Sequence, residues 1–296
     1  VALANSLISL LLQDMRLIHE RSEPRPPATL WHYTSAAGLK GILETKTIRL
    51  SNAAFLNDKT EQWLGKALFI EAATGRSGHV SDSIERVLKA ACQPFYKQAT
   101  SSDRLSDVYT ASFSVHADSL PQWRAYGRGE DGYALGFDTS KLIDEKRSHS
   151  RVENLWLSKC FYKPDSHRKL VNRLIELCDE AFIAHAGGPD EAAEAAAGAA
   201  AWLSAFLKNA HYKDEGEWRL VLFANEADEE QVGFVEGPVL KPYWPYTFEP
   251  GSVNGAVVGP QRHMDLAVSS VRLLLRRCNA LNAVARPSAV PFRNVG

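Results

Sequence analysis

Leu155-Trp156-Leu157-Ser158-Lys159-Cys160-Phe161-Tyr162 and Glu217-Trp218-Arg219-Leu220-Val221-Leu222-Phe223 both read as strands, and a helical stretch separates them. Within that stretch, residues 166–183 place Leu170, Leu174, Leu177 and Phe182 at helical spacing. Residues 190–209 open on an alanine-rich run of high helix propensity. Gly187, Gly188 and Pro189 punctuate the two, so together they form a helical hairpin of about residues 165–210. A strand on each side of the hairpin argues for one mixed sheet with an insertion, not two tandem domains.

Further strands are expected at 107–115, at 132–138 around Tyr133, Leu135 and Phe137, and at 232–239, 256–259 and 282–285. Residues 47–51 form a short strand, and 264–277 a helix. Thr34 or Ser35 caps a helix running to Glu44, with Leu39, Ile42 and Leu43 inward. Asn57 or Asp58 caps another helix, and 81–91 is a further one. An amphipathic helix over 3–18 carries Leu7, Leu11, Met15 and Ile18 on one face. Pro24, Pro26 and Pro27 separate it from the body. Residues 1–23 thus read as an appendage or oligomerisation element, and 28–296 as the main α+β domain.

The chain of 296 residues has 34 Lys and Arg against 35 Asp and Glu, so no global field draws it to nucleic acid or an anionic membrane. From Gln261 onward the only acid is Asp265, against Arg262, Arg272, Arg276, Arg277, Arg286 and Arg293. Cys92, Cys160, Cys178 and Cys278 are far apart and lack metal-ligand spacing, so they read as reduced thiols and not as a zinc site. No apolar run reaches the ~20 residues needed to span a bilayer. A cytoplasmic location is the expectation.

Four polar motifs can carry chemistry. Leu30-Trp31-His32-Tyr33-Thr34-Ser35 runs from a strand end into a helix start, where a histidine can face a ligand and helix N–H groups favour an anion. Ser51-Asn52 with Phe55-Leu56-Asn57-Asp58 and Glu61 combines capping residues with an aromatic ring, and serves as either a capped turn or a ligand loop. Ser112-Phe113-Ser114 puts two hydroxyls on one sheet face. Trp123, Arg124 and Tyr126 follow on a short helix, with flat surfaces and a cation suited to a heteroaromatic ring and a phosphate. Glu215 and Glu217, two apart at a strand start, share a face and repel unless a cation sits between them.

The order of these motifs resembles a widespread bacterial family grouped with the ADP-ribosyltransferase-like superfamily. Val258-Gly259-Pro260 and Ser288-Ala289-Val290-Pro291-Phe292-Arg293 are similar too, and the resemblance runs from Leu30 to Arg293 outside the alanine-rich insertion. It implies a split β-sheet that grips NAD as substrate, and transfer of ADP-ribose to a protein or nucleic acid, as a toxin or anti-phage effector does. It also implies that Glu217 is the catalytic carboxylate, with Glu215 its upstream partner. His32 orients the dinucleotide through a ribose or the nicotinamide amide, and Ser112 occupies the hydroxyl position of the central strand. Tyr33, Thr34, Ser114, Trp123, Tyr126 and Asn57 join the binding set, with Arg124 or Arg219 clamping the diphosphate. The hairpin is expected to stay peripheral to the chemistry. The sequence departs from the best-known patterns, because a histidine first motif is combined with S-x-S and E-x-E. An NAD glycohydrolase and a catalytically silent binding module are the alternatives.

Overall fold

Beside helical residues at 64–65, 67–69 and 71–72, alternating apolar side chains and helical periodicity give ten strands and seven named helices. In chain order these are α1 (Ala2–Glu20), β1 (Thr29–Ser35), α2 (Ala36–Thr45), β2 (Thr47–Asn52), β3 (Val108–Ser114), α3 (Leu120–Tyr126), β4 (Gly132–Asp138) and α4 (Thr139–Leu142). There follow β5 (Leu155–Lys159), α5 (Pro164–Ala184), α6 (Pro189–Ser204), β6 (Glu217–Phe223), β7 (Gly233–Val235), β8 (Lys241–Thr247), β9 (Val253–Val258), α7 (Met264–Arg277) and β10 (Val284–Pro287). The computed structural model describes residues 2–20, 26–55, 64–65, 67–69, 71–72, 108–126, 132–142, 155–184, 189–224 and 230–291. The helix expected at 81–91 and the cap at Asn57 or Asp58 lie outside them.

The strands form one mixed, open sheet in the order β10-β9-β4-β1-β3-β2-β8-β7, with β6 on β3 and β5 on β6. β9 and β10 pair in parallel, and the other ladders are antiparallel. β5 and β6, on either side of the helical hairpin, are direct neighbours, with Leu157 opposite Leu220. The protein is therefore α+β, with the hairpin set between two paired strands.

β3 has three neighbours. One edge pairs with β6 along its whole length, from Val108 opposite Phe223 to Ser114 opposite Glu217. The other edge is divided. Tyr109 and Thr110 pair with Asn52 and Ser51 of β2, whereas Ser114 pairs with Trp31 of β1. The sheet therefore opens along Ala111, Ser112 and Phe113, and β1 and β2 diverge there.

Strand alternation sorts the two faces. Val108, Val221 and Phe223 join a cluster with Leu7, Leu11 and Met15 of α1, Leu170 and Leu174 of α5, and Trp202 of α6. Tyr109, Ala111, Phe113 and Leu220 face the opposite way, under Leu39 and Leu43 of α2 and Val268, Val271 and Leu275 of α7. A small third cluster seats Trp123 of α3 on Tyr33, Ala134 and Val257. Reading α1 as an appendage is therefore corrected. Its apolar face is covered by the hairpin of its own chain, and Asp14 Oδ2 is paired with Arg173 Nε of α5 at 3.3 Å. No helix among the described residues is long and apolar enough to cross a membrane.

Four strands depart from the sequence reading, the first being β5, which ends at Lys159 instead of Tyr162. β7 ends at Val235 instead of 239, β9 begins at Val253 instead of 256, and β10 runs two residues later than expected. β8 is not among the expected strands, and its Pro242 and Pro245 would disrupt a strand paired along both edges. Its pairing removes the objection: Pro242 faces only Phe234 of β7, and Pro245 only Arg49 of β2. At each proline one edge of the strand lacks a partner, so the missing N–H breaks no ladder bond.

Candidate active site

A cavity of about 250 Å³ opens where β1 and β2 diverge. Trp31, His32 and Tyr33 of β1, Arg49 and Ser51 of β2, and Thr110 through Ser114 of β3 line it. Phe55, Gln122 and Tyr126, Glu215 and Glu217, and Lys241 complete the wall. Trp31 can lie here because its ring crosses Gly136 of β4 and Gly255 of β9. A methyl group on either glycine would come within 3.0 Å of the indole.

His32 bridges the split. Ser112 O accepts a hydrogen bond at 2.9 Å from Nδ1, which must carry the proton because a carbonyl only accepts. Burial pushes the imidazole pKa below its ordinary 6.5, although the Ser112 carbonyl opposes the shift. The ring is therefore neutral near pH 7, and Nε2 is an acceptor. Phe113 flanks it with ring centroids 5.5 Å apart.

The carboxylates are arranged differently from the expectation that both lie on one strand. Glu215 ends a short 3-10 turn, and only Glu217 belongs to β6. Gly216 between them has φ +54, a left-handed conformation that a side chain resists. The turn brings both carboxylates to Lys208, whose Nζ donates to Glu215 Oε2 at 2.5 Å and also to Glu217 Oε2. This is the cation that two close carboxylates require. Arg219, two residues along the same face of β6, donates from Nε to Glu217 Oε1 at 2.7 Å and from Nη2 to Oε2 at 3.3 Å. Its Nη1 donates to Ala205 O at 2.7 Å.

Burial disfavours the Glu217 anion, but Arg219 and then Lys208 outweigh it and hold the carboxyl at about 2. Backbone bonds fix the frame, with Glu217 N donating to Tyr162 Oη at 3.0 Å and Lys208 N to Phe161 O at 2.9 Å. Lys208 and Ala205 both lie within the expected helical insertion. Its C-terminal end supports the carboxylates directly, which corrects the reading of the hairpin as peripheral.

The structure brings His32, Tyr33, Ser112, Ser114, Tyr126, Glu215 and Glu217 to one cavity. Tyr33 and Ser114 are occupied with loop geometry. Tyr33 Oη donates to His116 O at 2.7 Å and accepts from Ser119 N at 3.1 Å. Ser114 Oγ donates to Glu215 O at 2.7 Å.

Four expected ligand residues lie elsewhere. Thr34 is not on the cavity wall, and the Trp123 indole is buried and donates to Asp118 Oδ1 at 2.7 Å. Arg124 is exposed and off the cavity wall, and Arg219 is locked to Glu217. The diphosphate clamp at Arg124 or Arg219 is thereby corrected. Asn57 lies outside the described residues. Sequence reasoning missed Trp31, Arg49, Gln122, Lys208 and Lys241. Only the need for a cation beside E-x-E hinted at Lys208.

Residues 122–220 match the family model described as protein of unknown function (DUF2971). The match runs from α3 through the hairpin into β6, so it includes the stretch expected to fall outside the resemblance. It covers Lys208, Glu215, Glu217 and Arg219, but not His32 or Ser112. No curated protein matches the chain.

Proposed function

We propose that the protein is an NAD-cleaving enzyme of ADP-ribosyltransferase-like type that passes ADP-ribose to a macromolecular acceptor. The observation that carries this reading is Glu217, a buried carboxylate held ionised on the wall of a cavity that opens at a split in the sheet. Such a group suits a reaction that develops positive charge on a sugar.

In that reaction the bond between the ribose C1′ and the pyridinium nitrogen breaks. Its electron pair returns to the ring, and neutral nicotinamide leaves without needing a proton. The sugar acquires oxocarbenium character, which a fixed anion stabilises more than it stabilises the ground state. Glu217 Oε1 accepts one bond from Arg219, leaving a lone pair for a ribose hydroxyl. His32 Nε2 offers a fixed acceptor, and Trp31 and Tyr126 offer aromatic surface. The acceptor nucleophile then bonds to C1′ and loses its proton to solvent.

One observation favours the alternative of a silent binding module. Both oxygens of Glu217 already accept from cations, as in a structural ion-pair network. Incubation with NAD separates the two readings: release of nicotinamide is expected of the enzyme, and binding without release of the module.

A further inference from the structure

We propose that the β2–β8 side of the cavity is an anion subsite that holds the phosphate groups of a nucleotide. This deepens the reading above, because it names the part of the substrate that this side takes.

Arg49 and Lys241 are the cations among the described residues lining the cavity. Neither is ion-paired with a described carboxylate, in contrast to Arg219 and Lys208. The register places Arg49 and Ser51 opposite Pro245 and Tyr243, so these four and Lys241 share one face. Arg49 does not stay over its direct partner Pro245. Its guanidinium stacks on Tyr243 at 4.8 Å, two residues along β8 in the direction of Lys241. Stacking holds the planar fork in place while leaving its N–H edges available.

The floor adds an independent observation. Thr110 is 2 % exposed and lines the cavity, yet its Oγ1 has no hydrogen-bond partner among the described residues. Buried hydroxyls are ordinarily paired, so an orphan beside Ser51 and two cations points to a ligand oxygen. A guanidinium, an ammonium and a hydroxyl converging on one wall match phosphate oxygens.

The test is calorimetric titration of the full chain with ADP, adenosine and inorganic pyrophosphate. ADP is expected to bind at least about tenfold more tightly than adenosine, since each charge-assisted bond is worth about that factor or more. Arg49→Gln and Lys241→Gln should each weaken ADP about tenfold and leave adenosine unchanged, and raising the salt should weaken ADP alone. Both side chains are exposed, so the variants should melt with the wild type.

The proposal is overturned if ADP does not bind, if it binds no more tightly than adenosine, or if the double variant retains it. Pyrophosphate binding as tightly as ADP would also overturn it, by making free phosphate the ligand. The outcomes separate this inference from the catalytic reading. ADP held through Arg49 and Lys241 without any cleavage of NAD would keep the subsite and discard the enzyme. NAD cleavage with an unchanged KM in the double variant would do the reverse.

Discussion

On its β6 side the cavity carries charge that is already neutralised, and on its β2 side charge that is not. Glu217 is buried, and Lys208 and Arg219 cover both of its oxygens. Across β3, Arg49 and Lys241 are exposed and have no described counter-ion. The difference teaches that formal charge in a site is a poor guide to what the site offers a ligand. A paired, desolvated carboxylate contributes position and a residual field, whereas an unpaired surface cation can still exchange water for phosphate. By the same logic Arg219, suited to a clamp on sequence grounds, is already occupied on the β6 side by Glu217 and Ala205 O.

The largest effect should come from breaking the β6 side. Glu217→Gln should lower nicotinamide release by ~100-fold or more, the usual cost of losing one preorganised electrostatic contact. It should also destabilise the fold by ~3 kcal/mol at neutral pH, because Lys208 and Arg219 lose their shared anion. This second loss has a definite pH signature. The folded carboxyl titrates at about 2 against an ordinary 4.5, so its stabilisation is complete above about pH 4.5 and fades as pH falls towards 2. Urea melts of wild type and variant should therefore converge in that window; a gap constant down to pH 2 would refute the pairing.

Lys208→Met should be next in size. It leaves Glu215 and Glu217 facing each other, raises the pKa of Glu217, and makes nicotinamide release fall with acid at a higher pH than in the wild type. Lys208→Arg, which keeps the charge, should restore most of the wild-type profile. An unchanged profile in Lys208→Met would show that Lys208 only fills space.

A smaller effect separates the two roles open to His32. Because burial lowers its pKa, NAD binding should show no inflection near 6.5, and His32→Asn should retain part of the affinity. An inflection at 6.5 that disappears in His32→Asn would assign it a proton-transfer role. The smallest effect belongs to Arg124→Ala, expected to leave ADP affinity unchanged and stability within about 0.5 kcal/mol. A tenfold loss of ADP affinity there would return the clamp to α3.

Much of the fold is legible locally. β4, β6 and α7 begin and end where alternation or helical period does, and Ser35 caps α2 through a bond from Gly38 N at 3.2 Å. What was hidden is non-local. Nothing in Ala111-Ser112-Phe113 says that β1 and β2 diverge beside it, because that depends on which strands reach the shared edge. The prolines of β8 are permissible only because the neighbouring strands pair at different places. Lys208 follows an alanine-rich helix with no local mark of function. It matters because Phe161 and Leu207 bridge and carry it to Glu217. Described residues from each of the four motif regions line the cavity, but their roles differ from those expected. Trp123 went to the core, Tyr33 and Ser114 to loop anchoring, and Arg219 to the carboxylate.

The central claim is that a paired, buried Glu217 still works on a bound sugar. The direct measurement is nicotinamide released from NAD by the wild-type protein and by Glu217→Gln, each normalised to its folded fraction from a melting curve. Sustained release by the wild type, at least ~100-fold above the folded variant, is the predicted result. Equal rates in the two proteins, or NAD bound by the wild type with no nicotinamide released, would contradict the account.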